Sequence, residues 1–541
     1  MPTRRHVNLF ITASSILFIL FISTSYLSII FPFNLVRNQW WQSLLTRARE
    51  PPPRIYLPKA RVAPEMRKFS SKAIENIIHE VTERMIDQDL ANMFENCFPN
   101  TLDTTIAWHD PNPYHPRTFV VTGDIPAMWI RDSTNQLLPY LAFSPSDQAL
   151  QNLILGAVNI QASQLLYDPY ANAFLPPEDA PIRMDGDMPS RSDEVYPQYD
   201  PRRVWESKYE LDSLAAFLKL SYEYWRVTKD KSLATNKVWL DAVKKVFKTI
   251  EDQMSGTWEE KKGKESYKFT RSTRRSSETL ANDGIGGVVK RCGLVKSQFR
   301  PSDDATMLPY LIPANAMTSV ALFHLSDMLA VLSRYSEHPS ALLSLSTRAL
   351  RVSKTIRKAI HTHGIFKHHK YGEVFAYEVD CYGSHLFMDD ANIPSLLALP
   401  YLGFVSRHNL VYLNTRRLVL SKGNPWFFSG TMGEGIGGPH VSREMIWPMG
   451  MLVRVITSED EDEIVDVLEM VKRTTNGTGY MHESLHVDDP GQYTRPWFSW
   501  ANTLFGETIL RIARERPHLL FKPEHWKWNI KEVGSQKEPD W

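Results

Sequence analysis

"SSKAIENIIHEVTERM", residues 70–85, is the stretch whose reading sets the fold class. Ile74, Ile77, Ile78, Val81 and Met85 recur at three- and four-residue spacings, which stacks them along one side of a 3.6-residue helix. Similar faces recur near 147–167, 209–228, 236–252, 314–335, 341–360, 390–400, 443–456, 460–473 and 497–514, while runs at the two-residue strand period are few and short. The pattern predicts an all-α body of about ten amphipathic helices. No short internal repeat stands out, which weighs against a helical solenoid. Between the helices lie polar loops rich in Gly, Pro, Asp, Arg and Trp, and a toroid of paired helices gathers such loops at one end.

The chain has 541 residues, 43% of them hydrophobic, and a formal net charge of +1. That is material for one large core or two. No long basic stripe occurs, so no nucleic-acid partner is expected. Three cysteines, Cys97, Cys292 and Cys381, cannot build a disulfide framework. One pair can bridge, and the sequence leaves open which. No C-x-x-C occurs, so a thiolate zinc site is not expected.

Residues 7–36 follow Arg4, Arg5 and His6 without a charge. This run is long enough to cross a hydrocarbon core of about 30 Å as a helix. It lacks a clear small-residue cleavage site and reads as a single-pass signal anchor, although Arg37, Arg47 and Arg49 beyond it weaken the charge rule for orientation. The expected organisation is a cytoplasmic tip and transmembrane anchor over 1–36, a Pro/Arg-rich stem over 37–68 ("REPPPRIYLPKARVAPEMRK") and a catalytic body over 69–541. The expected location is a membrane, with the body in the secretory-pathway lumen or outside the cell. Asn476-Gly477-Thr478 is an acceptor site for N-glycosylation and fits that side. Residues 255–283 are charged and poor in large apolar residues, as in a surface excursion or insertion. Oligomeric state is not legible.

"GYMHESLHVDDPGQYTRPWFSWAN", residues 479–502, contains His482, Glu483 and His486 in the H-E-x-x-H order of zinc proteases. A zincin needs both histidines on one helical face. Gly477, Gly479, Pro490 and Gly491 crowd the stretch too closely for that, so no metal and no cofactor are expected. Glu483, Arg495 and Trp497 suit sugar recognition instead: carboxylates accept hydrogen bonds from hydroxyls, and a Trp face covers the C–H side of a pyranose. Other loops share this character. Asp124, Trp129, Arg131 and Asp132 stand in one; Arg300, Ser302, Asp303 and Asp304 in another; His385, Asp389, Asp390 and Asn392 in a third; Trp426 and Glu434 in a fourth. Asp before an apolar run is most often a helix cap, but capping does not explain the Trp, Arg and His beside these.

The blocks "GDIPAMWIRDS", "KYELDSLAAFLKLSYEYW", "RPSDDATMLPYLIPANAM", "YEVDCYGSHLFMDDANIPSLL", "NPWFFSGTMGEGIGGPH" and "YMHESLHVDDPGQYTRPWFSWANTLFGE" resemble glycoside hydrolase family 125, the exo-acting α-1,6-mannosidases, over roughly Ser70 to Arg514. The resemblance implies an (α/α)6 barrel, inverting and metal-independent hydrolysis of a terminal non-reducing α-1,6-linked mannose, Asp212 as general acid and Glu483 as general base. It makes a mannose-containing glycan the expected substrate. Trp129, Arg131, Asp132, Arg300, Ser302, Asp303, Asp304, His385, Asp389, Asp390, Asn392, Trp426, Glu434, Arg495 and Trp497 are the expected sugar-binding residues. The physics agrees: inversion needs a protonated and an ionised carboxyl on opposite faces of the sugar, about 6.5–9.5 Å apart, and the apolar neighbours of Asp212 favour its protonated form. A lumenal glycosyltransferase and a non-catalytic mannan-binding protein of the same fold remain as alternatives.

Overall fold

Helix α1 (Lys72–Arg84) buries Ile74, Ile77, Ile78 and Val81, and the Ser71 side chain accepts the Ile74 N–H at its start. It opens a helix-rich body in a computed structural model that describes residues 54–183, 193–260 and 265–528. The expected anchor and the first part of the expected stem lie outside these residues. After α1 come α2 (Gln88–Cys97), α3 (Ile130–Leu137), α4 (Gln148–Tyr167), α5 (Leu211–Thr228), α6 (Lys237–Asp252), α7 (Ile312–Leu332), α8 (Pro339–His363), α9 (Leu410–Val419), α10 (Pro448–Ile456), α11 (Glu461–Arg473) and α12 (Ser499–Glu515).

Burial sorts these helices into two layers. Every residue of α3 is buried, and α5, α7 and α12 are buried around most of their circumference. By contrast α1, α6, α8 and α11 bury one face and expose the other, as helices at a surface do. Among the inner helices α3 packs on α5, α5 on α7, α10 on α12, and α12 on α3; α8 backs α7 and α11 backs α10. The stretch Ile312–Tyr335 is long and apolar enough to cross a membrane, but 78% of its most apolar window is buried inside this body.

The all-α expectation needs one amendment. Short antiparallel strands staple the loops just ahead of the inner helices. Strand β1 (Met128–Trp129) precedes α3 and pairs with β2 (Ala173–Phe174), which pairs with β4 (Val204–Glu206) ahead of α5. Likewise β6 (Tyr310–Leu311) pairs with β7 (Glu378–Val379) and β7 with β8 (His385–Leu386); β9 (Met445–Ile446) pairs with β10 (Ser484–His486) and β10 with β11 (Tyr493–Thr494). The helix expected at 390–400 is a run of turns, in which the Asp389 carboxylate accepts the N–H groups of Leu396 and Leu397. Helices α2 and α9 were not expected, and α3 begins at Ile130, so Arg131 and Asp132, expected just ahead of a helix, stand in its first turn. The 255–283 segment is tied in: β5 (Lys268–Arg271) pairs with β3 (Asp193–Tyr196), and Phe269 is fully buried.

The Arg54–Lys68 end of the expected stem is not free of the body. Asp89 accepts the N–H groups of Ile55 at 2.7 Å and Leu57 at 2.9 Å, and Leu57 is buried. Arg61 bridges Glu75 at 2.5 Å and Asp103 at 2.7 Å. Cys292 and Cys381 form a disulfide, and Cys97 is a buried free thiol.

Candidate active site

Side chains from the starts of α3, α10 and α12, and from the loops before α7 and α12, converge on one open pocket. Aromatic residues stand immediately before three of these helices: Trp129 before α3, Trp447 before α10 and Phe498 before α12. All three line the pocket, together with Trp500. Pairing of β1 and β9 fixes the backbone on which Trp129 and Trp447 stand.

Arg131 organises the polar wall. Its side chain is only 4% exposed, and its guanidinium lies 2.5 Å from Glu210, 3.2 Å from Asp212 and 3.2 Å from Asp132. The three carboxylates hold the guanidinium's pKa well above its ordinary value despite burial. Burial pushes the Asp132 carboxyl up to about 6 against the pull of Arg131. Asp212 is fully buried, and burial raises its pKa too, opposed by Arg131. Its Oδ1 meets no hydrogen-bond partner from another residue. Glu210 is raised well above the ordinary carboxyl range, again by burial against Arg131. Asp303 goes the other way: burial alone would raise it, but Lys208, Arg131 and His440 hold it down at about 2.

Glu483 lines the pocket with Arg495 Nε 3.1 Å from its Oε1. Arg495 also pairs with Asp124. Asp303 and Arg495 both adopt left-handed backbone, with φ of 67° and 57°. Non-glycine residues take up this strained conformation sparingly, and it gathers at functional sites. Thr122 Oγ1, Arg131 Nε and Trp447 Nε1 belong to pocket-lining residues and are buried with no hydrogen-bond partner among the described residues. Buried polar atoms are nearly always paired, with protein, water or ligand, so these three leave hydrogen-bonding capacity at the pocket.

Of the expected residues, Trp129, Arg131, Asp132, Ser302, Asp303, Asn392, Glu483 and Arg495 line this pocket. Asp212 adjoins it through Arg131 rather than lining it. Asp304 and Asp390 form the layer beneath: Ser302 Oγ donates to Asp390 at 2.8 Å, and Asp390 accepts the Asn392 N–H at 3.1 Å. Arg300 does not line the pocket and pairs with buried Glu378 at 2.6 Å. Asp389 is spent on the backbone of Leu396 and Leu397. Four expectations lie off the pocket. His385 stacks on Phe366 with ring centroids 3.9 Å apart, Trp426 packs edge-on to Phe428, Glu434 pairs with Arg454, and Trp497 lies over Gly123. Thr122, Ile125, Pro301, His440, Trp447, Phe498 and the deeper Glu210 were not expected.

The H-E-x-x-H run crosses a strand rather than a helix. The His482 ring stacks on Tyr493 at 3.9 Å, and its two nitrogens face the carbonyl oxygens of Arg495 and Thr475. His486 lies on β10 with Nε2 3.5 Å from Glu444. No single helical face presents the two rings to one ion.

Three similarities bear on this site. A family model described as metal-independent alpha-mannosidase (GH125) matches residues 87–510. The meiotically up-regulated gene 157 protein of Schizosaccharomyces pombe is 51% identical over 471 residues, covering 86% of this chain and 90% of that one. A Streptococcus pneumoniae structure from a family of metal-independent alpha mannosidases, in a non-productive complex with alpha-1,6-mannobiose, superposes with a TM-score of 0.74 at 35% identity, covering 84% of this chain and 99% of that one.

Proposed function

The chain belongs to the metal-independent alpha-mannosidase family GH125, a family of α/α-barrel glycoside hydrolases, and from that premise we propose that it is an exo-acting, inverting α-1,6-mannosidase. Membership sets aside the glycosyltransferase alternative. Asp212 is the general acid and Glu483 the general base. Glu483 takes a proton from water as the water oxygen bonds to the anomeric carbon; Asp212 gives its proton to the departing glycosidic oxygen, and the mannose leaves with inverted configuration. Trp129, Asp132, Ser302, Asp303, Asn392 and Arg495 hold the terminal mannose, with Trp447 and Trp500 against its carbon face. The observation that carries this reading is one pocket lined by Glu483 and Arg131, with Asp212 buried directly behind Arg131. One fact favours a second assignment of the acid: Asp132 itself lines the pocket and is held up at about 6.

Incubation with α-1,6- and α-1,2-mannobiose in the presence of a chelator, followed by NMR, tests the whole. Release of β-mannose from the α-1,6 compound first is expected; no release, or α-mannose first, defeats it. Asp212→Asn and Asp132→Asn then separate the acids, since only loss of the true acid removes the alkaline limb of kcat/KM. We further propose that the body faces a secretory lumen behind an N-terminal anchor. The Cys292–Cys381 disulfide and exposed Asn476 support this side of the membrane. Resistance to carbonate extraction and a mobility shift on removing N-glycans are expected; a protein that is both extractable and unglycosylated counts against it.

A further inference from the structure

A wide, open groove lies beside the pocket and shares Glu483 and His440 with it. A glycan whose terminal mannose fills the pocket therefore has this groove for the sugars that follow. Its outer wall is Arg274, Arg275, Ser276 and Ser277, from the 255–283 segment. That wall is built, not loose. Ser277 O accepts the Ala305 N–H at 2.7 Å, next to the Asp303 loop, and Arg271 is pinned by Asp193 at 2.7 Å and Glu206 at 2.8 Å.

Charge singles the wall out. The cations at the pocket are matched by carboxylates: Arg131 by Glu210 and Asp212, Arg495 by Glu483 and Asp124. Arg274 lines the groove with no acidic partner among the described residues, and Arg275 has only Glu278, 3.8 Å away and itself bonded to Thr273. Glu483 is the acid at the groove's inner end, and Arg495 occupies it. Two adjacent guanidiniums, which only donate, beside serine hydroxyls, which can donate, are a cationic surface suited to a phosphate or carboxylate. Resting on the mannosidase reading, we propose that this groove is a leaving-group site that selects glycans bearing an anionic group, a phosphate ester or a carboxylate, on the chain beyond the cleaved mannose.

The test is calorimetric binding to the Glu483→Gln enzyme, which needs no turnover. The probes are methyl α-1,6-mannobioside, α-1,6-mannobiose carrying a reducing-end phosphate, and its analogue carrying a carboxylate. Tighter binding of an anionic probe, by roughly three- to tenfold for two exposed ion pairs, is expected, and the two anionic arms say which group is preferred. Adding R274A/R275A should bring that ratio to one, and raising salt should shrink it in the parent enzyme even if the arginine variant fails to fold. Equal Kd for neutral and anionic probes, or a ratio that survives both salt and R274A/R275A, overturns the site. Failure of the wild type to cleave any mannobiose would sink the mannosidase reading alone, because these Kd values do not depend on it.

Discussion

Arg131 carries the heaviest local burden of any side chain in the pocket, since one buried guanidinium answers Asp132, Glu210 and Asp212. Removing it leaves buried carboxylates unanswered, so Arg131→Ala should lose about 3–5 kcal/mol of stability by denaturant titration, whereas Asp212→Asn and Glu483→Gln should keep the fold. Those two variants should lower kcat by about 10²–10⁴, the range for positioned acid–base groups, with far-UV circular dichroism unchanged. The raised Asp132 carboxyl gives a pH signature of known sign. Its folded state binds a proton more tightly than its unfolded state, so the stability it contributes is present below pH 4 and is lost as pH rises through about 6. Asp132→Asn should flatten that decline; an unchanged slope would show the carboxyl is not held up. Of these residues Arg131, Asp132 and Glu483 were legible in sequence because they stand in dense polar blocks, whereas Asp212, set among apolar neighbours, was legible only through the family resemblance. Glu210 was not: a Glu one turn before an apolar run looks like a solvated helix start.

At the scale of elements, the inner helices share an uncapped start, which among the outer ones only α8 repeats. Helices α1, α2, α4, α6, α9 and α11 start with a Ser, Asp or Asn side chain accepting backbone N–H groups. Helices α3, α5, α7, α10 and α12 start without one. Capping therefore accounts for Asp147 and Asp460 and not for Asp132 or Asp303. The long amphipathic helices were readable because half-exposed helices print a 3.6-residue period. Helix α3 was expected only as the helix following Asp132 and its start was misplaced, since a polar helix buried on all sides has no such contrast. Trp447 and Phe498 had a usable signal, an aromatic directly before an inner helix as at Trp129, but it emerges only once the helix starts are known. Asp389 escaped differently: its two backbone bonds replace helical ones and convert the expected helix into turns. Asp389→Ala should cost about 2–3 kcal/mol, two buried hydrogen bonds, with Asp389→Asn recovering part. If both variants melt like the parent, Asp389 does not pin this segment.

Two long-range ties act on the molecule as a whole. The Cys292–Cys381 bridge spans 89 residues of chain, and a loop of that size is stabilised by about 2–4 kcal/mol when closed, so the paired Cys→Ala variant should unfold at correspondingly lower denaturant. The other tie is the N-terminal strap. Sequence composition places Arg54–Lys68 in a stem, because proline-rich segments rarely join a core. What composition hides is that the partners lie far along the chain: Asp89 holds Ile55 and Leu57, Asn96 holds Ala60 and Arg61, and Asp103 shares Arg61 with Glu75. Asp89 and Asp103 are nearly buried, with side chains 0% and 3% exposed, so stripping the strap strands two carboxylates rather than merely shortening a tether. A chain starting at residue 54 should therefore melt like the full-length protein, while one starting at residue 69 should lose on the order of 3–5 kcal/mol. Arg61→Ala in the longer chain should reproduce part of the loss. Equal midpoints for the two truncations would mean that the strap rests on the body without stabilising it, and the folded unit would then begin at α1.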